Sequence, residues 1–292
     1  MIFKKTYKYL VLVLLILIIS SCQKEKISII VPYGSPSYTT MYLDDYDVSI
    51  IQGADPLVAA FGSNNYDVIV APTNLGAKFY SSSKTYQLVA SIVWGNMYLI
   101  SHSPINFDQI NDKNIYAFGQ SQTPDIILNY ILNAHEANPN IIYLSSASEV
   151  IASFMLNPND IYLVAEPQYS ILDNTDIIYA QDMQEAYEKI SGLNPYPQAS
   201  IFVNKNLSDR QVEDIENDFK NSINQLKKSE NKKWIADELD IEEAIISKVI
   251  ERSHISYLNA EDAKYDIELY LNLIIDFNNN LLSKLPEDSF YR

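Results

Sequence analysis

Recognition chemistry in this chain is concentrated in a few short polar segments: Tyr33-Gly34-Ser35-Pro36, Pro72-Thr73-Asn74, Trp94-Gly95-Asn96, Gly119 to Asp125, Glu166-Pro167-Gln168-Tyr169, and Tyr196 with Gln198. Their side chains are amides, hydroxyls, aromatic rings and a carboxylate. His102, His135 and His254 are scattered, with no carboxylates at metal-ligand spacing. These residue types suit recognition, the isolated histidines count against an enzyme, and no catalytic residue, metal or cofactor is expected. The ligand-binding set would be Tyr33, Gly34, Ser35, Thr73, Asn74, Trp94, Gln122, Thr123, Glu166, Tyr169, Tyr196 and Gln198. Aromatic faces beside amide and carboxylate edges suit a flat nitrogen heterocycle, such as a vitamin precursor. Glu166 would accept from a ring amino group or pair with a cation. No Lys or Arg stands in these segments, yet Thr123-Pro124-Asp125 reads as a helix start: a hydroxyl cap, Pro at the first helical position and an acid in the first turn. Its free N–H groups could receive a small oxyanion, which is the alternative ligand.

The elements that must position these segments are aliphatic runs. Ile27 to Val31, Val48 to Ile51, Asp67 to Ala71 and Leu88 to Val93 read as strands, with helices over Thr39–Asp44, Pro56–Gly62 and Leu75–Ser81. The pattern restarts with strands at Asn114–Phe118, Ile141–Leu144, Ile161–Val164 and Ile177–Ala180. Helices over Pro124–Ala137, Ala147–Met155 and Met183–Ile190 go with them. Continuous Val/Ile runs separated by helices predict mostly parallel sheets covered on both faces, an α/β protein of two units. The polar segments then fall at the carboxyl ends of strands, where open α/β sheets hold ligands. After Pro197 come a strand at Ser200–Val203, a capping-box start at Ser208-Asp209-Arg210-Gln211, and amphipathic helices over Ile241–Ile250 and Glu261–Leu285.

The chain has 292 residues, enough for two lobes, with 21 Lys and Arg against 37 Asp and Glu, a formal charge of −16. Phosphate neutralisation needs a basic stripe, so nucleic acid is not an expected partner. The one cysteine excludes a disulfide framework. It stands after a basic start (Lys4, Lys5, Lys8) and an uncharged stretch of 11 residues from Tyr9 to Ile19. That stretch is shorter than the roughly 20 residues a membrane span needs, and it fits a signal peptide. Ile19-Ser20-Ser21-Cys22 resembles the lipobox of bacterial lipoproteins. The resemblance implies a signal peptide over 1–21, cleavage before Cys22, and lipid on that residue holding the protein at the outer face of the cytoplasmic membrane. Loss of Lys4, Lys5 and Lys8 would take the charge from −16 to −19. Such a surface needs covalent lipid, not a polybasic patch, to stay on a membrane.

An ordered set of motifs carries a second resemblance. Tyr66 to Asn74, Thr123-Pro124-Asp125, Ala165-Glu166-Pro167, Asn194-Pro195-Tyr196-Pro197-Gln198 and Val203-Asn204-Lys205 resemble, in order and spacing, the periplasmic solute-binding proteins of nitrate/sulfonate/taurine and thiamine-precursor ABC importers. The resemblance implies a type II periplasmic-binding-protein fold. Lobe one would comprise 27–103 and 198–292, lobe two 104–197, with the C-terminal helices on lobe one. It further implies a monomer that captures a small molecule in the interlobe cleft and passes it to ABC permease subunits. A surface lipoprotein without a transport role is the competing expectation.

Overall fold

The computed structural model describes residues 26–157, 159–173, 178–192 and 194–292. Cys22 and the signal peptide expected over 1–21 lie outside the described residues. The first sheet grows from the β-branched runs. β1 (Ser28–Pro32) pairs in parallel with β2 (Asp47–Ile51) on one side and with β3 (Val68–Pro72) on the other. Beyond β3 the order continues through β10 (Ala199–Asn204) and β4 (Tyr86–Val93) to β11 (Ile255–Asn259), each pairing antiparallel with its neighbour. The second sheet runs β7 (Asn140–Tyr143), β6 (Asn114–Ala117), β8 (Ile161–Ala165), β5 (Met97–Ser101), β9 (Tyr179–Asp182). There β5 runs against the other strands. In both sheets most strands point one way, and the antiparallel members are short edges or strands that return from the other unit.

Helices cover both faces. Ile29, Val31, Val68 and Val70 pack under α8 (Asp209–Leu226) and α10 (Glu243–Arg252), between which lies α9 (Lys232–Leu239). Ile30, Ile69 and Phe202 pack under α2 (Asp55–Ser63), α3 (Thr73–Ser83) and α11 (Ala260–Phe277). The capping box at Ser208 and Gln211 starts α8, with both reciprocal hydrogen bonds formed. On the second sheet lie α4 (Thr123–Ala134), α5 (Ala147–Leu156), α6 (Gln168–Asp173) and α7 (Met183–Ser191).

Three sequence expectations are corrected. The helix expected over Thr39–Asp44 is instead a short α1 (Ser35–Tyr38) followed by turns. Thr39 and Thr40 hydroxyls donate back to the carbonyls of Pro36 and Ser37 at 2.6 and 2.8 Å, a local bonding pattern that competes with helix continuation. The last helix ends at Phe277, because Asn278 is extended. The first unit was expected to run to residue 103, but β5 hydrogen-bonds within the second sheet, so the chain changes sheets at Trp94-Gly95-Asn96. It returns between β9 and β10, where Gln198 N–H donates to the Val93 carbonyl at 2.9 Å.

Candidate functional site

A cavity of about 450 Å³ lies where the two sheets face each other. From the first sheet it receives Pro32 to Pro36 after β1, Pro72 at the end of β3, and Asn74, Leu75 and Lys78 from α3. From the second it receives Phe118 and Ser121 to Pro124 after β6, Ala147 at the start of α5, and Ala165 to Gln168 after β8. Asn96 and Gln198, on the two crossovers, also line it. The first turns of α3, α4 and α5 all meet this space, so the positive ends of three helix dipoles converge on it.

Each side chain's role follows from its partners. The N-cap of α4 is Gln122, and Thr123 is the first helical residue, so the expected hydroxyl cap is corrected. Thr123 Oγ1 instead shares a hydrogen bond with the Tyr270 hydroxyl at 3.0 Å. Asp125 is committed to the loop before it. Its Oδ2 accepts from Ser121 N–H at 2.7 Å, and the Tyr143 hydroxyl donates to Oδ1. Ser121 is thereby held at a φ of 61°.

Asn96 ties the two crossovers together. Gln198 Nε2 donates to Asn96 Oδ1 at 2.7 Å, Asn96 N–H donates to Gln198 Oε1 at 3.1 Å, and Asn96 Nδ2 donates to Ser35 Oγ at 2.8 Å. Ser35 Oγ donates in turn to Ser253 Oγ at 3.0 Å. These amides are engaged with one another, which makes them a brace at the crossovers. Asn96→Ala strips partners from buried polar groups, so it is expected to cost about 1–3 kcal/mol, read as a lower urea midpoint with unchanged slope. A midpoint equal to that of the unaltered protein would show that the brace carries no stability.

Glu166 is 2% exposed. Its Oε1 accepts from Ser170 Oγ at 2.9 Å, while Oε2 is buried without a protein partner. Burial pushes its carboxyl up to about 8, against the pull of the Ser170 hydrogen bond and of Arg252. Near neutral pH it is therefore mostly an uncharged acid, not the anion that the sequence suggested. Arg252 Nη2 is 2.9 Å from Asp173 Oδ2, and its guanidinium lies 4.3 Å from the Tyr169 ring centre.

Of the residues singled out by sequence, Tyr33, Gly34, Ser35, Asn74, Gln122, Thr123, Glu166 and Gln198 line the cavity. Four others do not line it. Thr73 turns into the sheet, with Oγ1 2.7 Å from Ser200 Oγ. Trp94 is buried, its Nε1 donating to the Ser256 carbonyl at 2.8 Å. Tyr169 packs on Tyr98 with ring centres 4.5 Å apart. Tyr196 is fully buried between Tyr187 and Tyr270. Sequence reading missed Lys78, Phe118, Met97 and Leu281. Lys78 was detectable: it follows Asn74 by four residues and so shares its face of α3. Leu281 carried no signal of its own. Among the described residues, no three or more His, Cys, Asp or Glu gather as metal ligands.

No protein-family model matches the chain, and no curated protein matches it. Solved structures do. An ABC transporter structure from Parabacteroides distasonis aligns with a TM-score of 0.78 at 20% identity, over 92% of this chain and 99% of that one. The periplasmic aliphatic sulphonate binding protein SsuA from Escherichia coli aligns at 0.70 and 13%, over 92% of each chain. The ligand binding component of an ABC-type import system from Staphylococcus aureus, with zinc bound, aligns at 0.68 and 13%, over 92% of this chain and 97% of that one. These likenesses define the fold class: a two-lobed periplasmic-binding-protein fold, with two α/β sheets flanked by helices.

Proposed function

We propose that this protein is an extracytoplasmic solute-binding lipoprotein, anchored through Cys22, that captures a small organic solute and delivers it to an ABC importer. The observation that carries the reading is the cavity of about 450 Å³ walled from both sheets, with the chain crossing between them at 94–96 and before β10. Lobe one would then be 27–93 with 198–292, and lobe two the chain between. A ligand touching both lobes favours their closed arrangement, because only that arrangement offers both sets of contacts. The similarity to an ABC transporter structure and to the ligand binding component of an ABC-type import system supports the same reading, as does the segment ending in Ile19-Ser20-Ser21-Cys22.

The cavity favours a solute with an acidic group on an apolar body. Three helix N-termini and the Lys78 ammonium supply positive potential, and Glu166 is mostly neutral. Pro32, Leu75, Met97, Phe118 and Leu281 supply apolar wall. A nitrogen heterocycle is the second reading, favoured by the aromatic faces of Tyr33 and Phe118 in the same wall. Thermal melting against carboxylates, sulfonates, phosphonates and neutral heterocycles separates them, since a ligand at 100 times its Kd adds about 2.7 kcal/mol of stability. An acidic solute is expected to raise Tm. Lys78→Ala should weaken it roughly 5- to 10-fold, about 1 kcal/mol, with the loss shrinking at high salt. A neutral hit unaffected by Lys78→Ala would select the heterocycle; no hit in any class would contradict the binding role.

A further inference from the structure

The two sheets are joined differently on their two faces. On the face of α3, α4 and α11 one apolar cluster runs from Ile69 and Phe202 of the first sheet, through Tyr270 and Tyr196, to Ile115 and Leu163 of the second. On the face of α10 and α6 the clusters are separate. Ile246 and Val249 of α10 pack on the first sheet, Tyr169 and Leu172 of α6 on the second. There α10 and α6 meet through charge. Asp173 Oδ2 lies 2.9 Å from Arg252 Nη2 and 3.3 Å from Lys248 Nζ. Arg252 Nη1 donates to Ser170 Oγ at 3.2 Å, and Ser170 Oγ donates to Glu166 Oε1 in the cavity wall. The Tyr98 hydroxyl of β5 donates to the Arg252 carbonyl at 2.9 Å.

We infer that Asp173, Arg252 and Lys248 form a latch between the lobes, which sets how much of the protein stands closed before solute arrives. The inference deepens the solute-binding reading proposed above and rests on it. Parting the lobes along the shared apolar cluster would put rings such as Tyr196 and Tyr270 into water, at a cost that grows with the area exposed. Parting α10 from α6 mainly exchanges one charged contact for hydration. The three side chains are already partly exposed, and ion pairs of that kind are made and broken cheaply. Motion is therefore easiest at the charged contact, with the two crossovers as pivots. One carboxylate facing two cations pulls the lobes together at low salt, and the pull is screened as salt rises. A solute that needs contacts from both lobes binds the closed arrangement, so its apparent affinity scales with the fraction already closed. Asp173, Arg252 and Lys248 thereby tune affinity without lining the cavity.

The test needs no solute. The full chain carrying Cys22→Ser, Gln52→Cys and Ser148→Cys has two thiols for spin labels. Both positions are exposed, one near the cavity-lining Ala54 of the first lobe and the other beside the cavity-lining Ala147 of the second. Refolded from urea to strip any carried solute, this protein is expected to show a short, narrow distance between the labels. Added Asp173→Asn should lengthen the distance by several ångström and broaden it; added Lys248→Gln should do so by less. Raising salt from about 0.1 M to about 1 M shortens the screening length from about 10 Å to about 3 Å, which should widen the parent and leave Asp173→Asn unchanged. Lys248 is the most exposed of the three, so its variant carries the test even where Asp173→Asn fails to fold. The same distance in parent and variants at both salt concentrations overturns the latch. That result leaves the solute-binding reading standing, because that reading falls on an empty cavity in native mass spectrometry, whatever the lobes do.

Discussion

Glu166→Gln is expected to make the protein more stable than its parent at pH 8.5 by a few kcal/mol, while the two remain close at pH 5. In the folded chain the carboxyl is held at about 8, chiefly by burial, whereas an unfolded chain leaves it near 4.5. Between those values the folded state keeps a proton that the unfolded state has lost. Stability therefore falls as pH rises, by about 1.4 kcal/mol per pH unit inside that window, and levels off above it. Glutamine keeps an acceptor for Ser170 and carries no charge to bury, so the variant should lack this slope. Urea unfolding at pH 5, 6.5 and 8.5 reads it directly. Parallel pH profiles for the two proteins would show that Glu166 ionises freely in the fold.

The next largest effect is expected at Gly76. A Cβ built there would lie 2.1 Å from Phe202 Cζ, and that ring is fully buried between Phe61 and Phe290. Gly76→Ala gains up to about 1 kcal/mol of helix propensity but forces the ring from its place, so a net loss of about 2 kcal/mol follows. For a chain of this size that is a fall in Tm of about 3–4 °C. Phe202→Leu frees space at the same contact. The double variant should therefore lose less than the sum of the singles. Strict additivity would place the cost of Gly76→Ala elsewhere.

How much of this molecule was legible beforehand follows from what each signal measures. Buried Val and Ile runs such as Ile29-Ile30-Val31 and Val68-Ile69-Val70 declare strands, because few other arrangements bury them on two faces. Short edges declare little. β11, reading Ile255-Ser256-Tyr257-Leu258-Asn259, and the six-residue α6 are too brief for periodicity to emerge. The crossover was misplaced because Leu99 and Ile100 look alike whichever sheet receives them. Only hydrogen-bond partners distinguish the two.

At the site, composition located the loops but not the directions of their side chains. Trp94 and Asn96 are two residues apart around Gly95, whose φ of 93° turns the backbone. One of them packs toward Ser256 and the other reaches Ser35 at the cavity wall. Glu166 illustrates a further limit: its charge depends on burial, and burial is a property of neighbours drawn from α6 and α10. Lys78 lay outside every loop and needed the helical period of α3 to be placed beside Asn74.

The space between the two sheets is proposed to hold a small solute. Native mass spectrometry of the mature protein, purified from its own host without denaturation, tests it most directly. One adduct per chain is expected, a few hundred daltons in mass as the cavity volume allows, released intact on activation and carrying an acidic group. The adduct should fade in Lys78→Ala prepared the same way. A bare chain mass in both proteins, with no adduct recovered after incubation in host extract, would rule out a solute-binding role for this cavity.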